Sequence, residues 1–156
     1  MHQATYDDAN LILRLYELRR EETLRKARSW FAPNFNAASP DEMMQKYPFG
    51  SQEATYIRMV ISYWDMAASF VTAGVLNQDL FFQSNRELLV VWEKIRAAVP
   101  GMREMSKDPE YCGHMETVAN AFIKYLEARG PEIYPTFQGM LQKLTASAAG
   151  STAPHA

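Results

Sequence analysis

Residues 56–73 read YIRMVISYWDMAASFVTA, and Gly74 follows them. At helical spacing, Ile57, Val60, Ile61, Trp64, Ala67, Ala68 and Val71 share one apolar face. Met59, Tyr63, Met66 and Phe70 make a second face, which leaves only Arg58, Ser62, Asp65, Ser69 and Thr72 as a narrow polar strip. A cylinder apolar on most sides belongs inside a bundle. Gly74 supplies the left-handed stop. The stretch therefore predicts an all-α fold, a bundle of about five to seven helices with a central, mostly buried helix at about 52–73.

Working outward, cap signals set the other elements. Thr5 opens a first helix with Asp7 and Asp8 in its positive first turn, and its apolar side runs through Leu11, Leu15, Leu24 and Phe31 to a break at Pro33. Ser39-Pro40-Asp41-Glu42 starts a short helix that ends at Tyr47, and Asn77 caps another carrying Phe81 and Phe82. Ser84-Asn85-Arg86-Glu87 repeats the capping-box pattern. Pro100-Gly101 ends or kinks the helix that follows, and Asp108-Pro109-Glu110 starts the next one, stopped by Gly130-Pro131. A last short helix spans about Thr136–Leu144, so that residues 1–145 form one domain and 146–156 a flexible low-complexity tail. No stretch reads as a strand.

Composition narrows the partners. The chain has 156 residues, 47% hydrophobic and 22% charged, with a net charge of −2, so no overall field favours nucleic acid or an anionic membrane. No apolar run is long enough to span a bilayer and the N-terminus is not a secretory signal. One cysteine, Cys112, fits a reducing compartment, and the expected location is the cytoplasm.

The run SYWDMAASFVTAGVLNQDLFFQSNRELLVVWEKIRAAVPGMRE (62–104), with LYELRREETLRKARSWF (15–31) before it, resembles an uncharacterised family of small bacterial all-helical proteins. The positions that carry the likeness are Tyr63, Trp64, Asp65, Ala67, Gly74, Val75, Leu76, Asn77, Asp79, Leu80, Trp92 and Arg103, and it extends over about residues 6–127. It implies an all-helical fold and a bacterial origin, and no activity. Asp65 stands where that family usually has Glu, which shortens any contact made from the position.

Among ionisable groups Asp65 stands out, a lone acid on a helix built for burial. A charge there needs an answering cation, and the candidates are Arg58, Arg96 and Arg103. The residues read as a speculative ligand site are Trp64, Asp65, Trp92 and Arg103. His114 lies in no ligand spacing that fits a metal, so neither a metal nor a cofactor is expected, and no catalytic residue is singled out. Arg19, Arg20, Arg25, Lys26 and Arg28 interleave with Glu17, Glu21 and Glu22, which reads as a salt-bridged solvent face. Phe81 and Phe82 are adjacent on a short helix, so one ring is expected outside, beside Met43 and Met44, as an adaptable apolar patch. The expectation is a non-catalytic interaction or scaffolding module that binds a protein partner or itself through that patch. The alternative is a small-molecule sensor or enzyme with a pocket between helices near Trp64, Asp65 and Trp92.

Overall fold

The computed structural model describes residues 2–151, and among these the chain is helical with no strand. Nine helices follow one another: α1 (Tyr6–Arg19), α2 (Glu22–Asn34), α3 (Pro40–Lys46), α4 (Gln52–Thr72), α5 (Gln78–Ser84), α6 (Glu87–Ile95), α7 (Val99–Ser106), α8 (Gly113–Arg129) and α9 (Ile133–Ser151). That is more than the five to seven expected, because two long readings divide.

The first division falls at Arg20 and Glu21. The Glu21 carboxylate accepts from Thr23 N–H at 3.0 Å and Leu24 N–H at 2.8 Å, capping α2 instead of pairing with Arg25. Pro33 lies inside α2, one residue before its end. The second division separates α6 from α7, with Pro100 in the first turn of the new helix.

Most helix starts are written locally. Thr5 Oγ1 accepts from Asp8 N–H, and the Asp8 carboxylate takes Thr5 N–H in return. Ser39 receives Glu42 N–H, Ser51 receives Ala54 N–H and Asn77 receives Leu80 N–H. Two expected starts fail, the first because a distant side chain competes. At Ser84–Glu87 the carboxylate of Glu87 is taken by the Arg28 guanidinium at 2.7 and 2.6 Å, so α6 has no side-chain cap. Asp108 closes only a turn, accepting Glu110 N–H at 2.9 Å, and α8 begins at Gly113. At the other end α9 runs on through residues 146–151, where alanines favour helix and Lys94 Nζ donates to Thr145 Oγ1 at 2.8 Å. Residues 152–156 of the expected tail lie outside the described residues.

α4 is the helix the others surround, packing chiefly on α2 and α8 and also on α6. Ile57, Val60, Ile61, Trp64, Ala67, Ala68 and Val71 are buried as the period requires. The second apolar face is only partly covered: Tyr63 is buried and donates to Leu15 C=O at 2.6 Å, but Met66 is 40% exposed. Arg58, Ser62 and Thr72 are exposed. One flank of α4 is therefore wet, and the cleft described below lies along it.

The core takes in more than the period predicted. Phe81 and Phe82 are both buried, at 0% and 4% exposure, which corrects the expectation of one outward ring. α5 lies against α1, and Phe82 stacks on Phe122 of α8 with ring centroids 4.3 Å apart. A short helix covered from more than one side can bury adjacent side chains. Arg19 also turns inward, its guanidinium 5.3 Å from the centroid of the Trp64 ring. The expected basic solvent face is thus split, with Arg19 and Arg28 drawn in and Lys26 left outside on Glu22 at 2.8 Å.

Candidate functional site: a methionine-lined cleft over Asp65

α3 and α7 are short helices that pack on each other. Gly101 allows the contact: a Cβ there would stand 2.7 Å from Pro40 Cδ, closer than carbon atoms approach. Each helix contributes two methionines, Met43 and Met44 from α3 and Met102 and Met105 from α7. Together with the wet flank of α4 they enclose a cleft of about 730 Å³, into which Ile57, Ile61 and Phe49 also face. Phe49 is 97% exposed, and Met44 and Met105 are each 53% exposed. The polar lining is sparse: Arg58, Ser62 and Asp65 from α4, Asp108 and Glu110 from the turn before α8, and His114.

Asp65 is where the chain's local logic and the tertiary fold meet. α8 starts from Cys112, whose left-handed backbone (φ 56°) provides no side-chain cap. The Asp65 carboxylate fills that role from α4, Oδ1 accepting Met115 N–H at 2.9 Å. The positive end of a 17-residue helix is what answers the acid. None of the expected cations does. Arg103 donates to Tyr111 C=O at 3.0 Å and to Glu116 at 2.6 Å, Arg96 pairs with Glu93 at 2.9 Å, and Arg58 is exposed on the cleft wall.

Beside Asp65 the thiol of Cys112 is pushed up to about 12, first by burial and then by the carboxylate's charge. Tyr111 is raised for the same reasons, burial first, with Cys112 and Asp65 next to it. Both shifts keep these two groups uncharged near neutral pH. His114 is exposed and shares a 2.7 Å hydrogen bond with Thr72.

Of the residues grouped from sequence as a ligand site, the structure brings only Asp65 to the cleft. Trp64 faces the opposite way, at 0% exposure beneath Arg19, and Trp92 is buried between α6 and its neighbours. Arg103 sits on α7 between Met102 and Met105 but turns towards α8. Of the expected surface patch, Met43 and Met44 line the cleft, whereas Phe81 and Phe82 lie in the core. Met102, Met105, Phe49, Asp108 and Glu110 are cleft residues that the sequence reading missed. The signal for two of them was present: Met102 and Met105 are spaced i, i+3 on a helix begun by a proline, so they share a face.

The fold and the cleft define a helical-bundle protein with an apolar, methionine-lined groove on one flank of its central helix. The chain belongs to the family described as a domain of unknown function, DUF4760, whose sequence model matches residues 4–122. Every residue lining the cleft falls inside that match. No curated protein and no solved structure matches the chain. No helix among the described residues is long and apolar enough to cross a membrane.

Proposed function

We propose that this protein is a non-catalytic binding module that holds the apolar face of a partner polypeptide in the cleft between α3, α4 and α7. The observation that carries the reading is the lining: four methionines on two short helices, with Phe49 fully open beside them. Methionine is unbranched and polarisable, so a methionine-rich surface repacks against differently shaped apolar partners. Large apolar side chains left at the surface together mark interaction sites. A bacterial, cytoplasmic setting belongs to the same reading, supported by the family likeness and by the single cysteine.

Met44→Gln with Met105→Gln tests it, because both side chains are half-exposed and the change is neutral and of similar size. The double variant should melt as the wild type does, within about 0.5 kcal/mol. Proteins retained from a native lysate by the wild-type chain should be lost by the variant. Equal retention by the two chains, or no retention by the wild type, would overturn the proposal.

The volume supports a second reading, a small-molecule sensor, because clefts of about 300–1,000 Å³ suit such ligands. This cleft reaches Asp65, although Trp64 and Trp92 do not line it. A ligand screen by thermal shift, in which hits disappear in Asp65→Asn, would favour that reading.

A further inference from the structure

We infer that the partner segment is a cationic amphipathic helix, with its basic residues at the end of the cleft formed by the α7–α8 turn. The inference rests on the proposed binding function and adds the chemistry of the occupant. The cleft walls are three helices, and no strand edge exists among the described residues to extend by β-pairing. Among the modes by which polypeptides are recognised, an amphipathic helix laid into an apolar groove is the one that a lining of methionine and isoleucine side chains fits best.

Charge sets its composition. The lining carries three carboxylates, Asp65, Asp108 and Glu110, against one cation, Arg58. Asp65 spends one oxygen on Met115 N–H, and its second has no protein partner among the described residues. Asp108 and Glu110 are exposed and pair with no cation among the described residues. Of the nearby cations, Arg103 is held by Glu116 and Lys46 by Glu42, and exposed Lys107 beside Asp108 is one positive charge against the three carboxylates at that end. The charges are also ordered along the cleft. Arg58 and Asp65 lie seven positions apart on α4, about 10.5 Å along its axis at 1.5 Å per residue. Asp65 is fixed to the start of α8 through Met115 N–H, and the Glu110 carboxylate lies against Gly113 at that same start, so the acidic groups gather at the α7–α8 turn, with Arg58 about two turns of α4 away. An apolar stripe flanked by lysine or arginine matches this lining, and a stripe flanked by acids meets repulsion at the same end.

Fluorescence anisotropy on the full chain, with three labelled synthetic helices, tests the inference. The first is built of leucine and lysine, the second has the same leucine face with glutamate for lysine, and the third keeps the lysines but replaces leucine by serine. The leucine–lysine helix should bind at least about tenfold tighter than the leucine–glutamate helix, with a preference that weakens as salt is raised. Asp108→Asn with Glu110→Gln should reduce that preference to about threefold or less. Met44→Gln with Met105→Gln should abolish binding of both leucine helices.

If the two leucine helices bind equally and both are lost in the methionine variant, the charge inference falls and the cleft reading stands. If neither binds, or the methionine variant binds them as tightly as the wild type, the cleft reading itself fails. Equal binding of the serine–lysine helix would show bare charge attraction and also overturn the inference.

Discussion

Asp8 and Asp65 perform the same structural task in different surroundings. Each carboxylate sits on one helix and accepts a backbone N–H from a distant segment, Asp8 from Asn77 and Asp65 from Met115. Asp8 is buried with both oxygens engaged: Thr5 N–H and Oγ1–H donate to Oδ2, Asn77 N–H donates to Oδ1, and the His2 ring lies within 3.2 Å of both. Asp65 is half-buried, uses one oxygen, and turns the rest of its charge to an apolar cleft. A fully satisfied buried acid is a fastener that ties the N-terminus to α5. A partly satisfied one is a fastener with charge left over, which is why the binding proposal attaches to Asp65 and not to Asp8.

The largest effect should come from the fully engaged acid. Asp8→Ala leaves the buried Asn77 N–H without its acceptor and frees Thr5, so its melting temperature should fall further than that of any Asp65 variant. Calorimetry on the two alanine variants gives the ranking, and the reverse order would break the comparison. The pH dependence sharpens it. Burial by itself raises the Asp8 carboxyl, but the hydrogen bonds from Thr5, Asn77 and His2 outweigh it and hold the group at about 2 against an ordinary 3.8. A depressed folded value means that the stabilisation is complete above pH 3.8 and drains away as pH falls towards 2. Asp8→Asn should flatten that acid limb in a melting series, and an unchanged slope would assign the limb to other groups.

Asp65→Ala removes a cap in trans and should cost about 1 kcal/mol, or about 2–4 °C in a chain of this length. Asp65→Asn keeps an acceptor for Met115 N–H and should lose less. A loss equal to alanine's would show that charge, rather than the hydrogen bond, holds the start of α8.

The smallest effect is local. The Cys112 thiol is raised mainly by burial, so iodoacetamide should label the native chain far more slowly than the unfolded one. Asp65→Asn removes the carboxylate's share and should quicken native labelling modestly. Labelling unaffected by Asp65→Asn would leave burial as the whole cause.

The sequence was most legible where the physics is short-range. The caps at Thr5, Ser39 and Asn77 depend on hydrogen bonds spanning three residues, and all three form. The burial of one face of α4 follows from its period. Legibility failed where a distant group competed. Ser84–Glu87 has the pattern of a cap, yet Arg28 from 59 residues away takes the glutamate. By its place on α4, Asp65 calls for a guanidinium, and a helix terminus 50 positions on meets it instead. Half of the cleft was hidden for the same reason, since nothing in the chain order puts Met43 beside Met102.

By itself, then, the sequence determined that this is an all-α protein, where several of its helices begin, and which helix lies innermost. Those properties come from side-chain period and from bonds between near neighbours, which every copy of the same segment repeats. Only the tertiary structure decided that Phe81 and Phe82 both turn inward, that Arg19 covers Trp64, and that Asp65 opens onto a methionine-lined cleft. Each of those depends on which surfaces meet, because a ring is buried or a charge is answered by whatever helix packs over it.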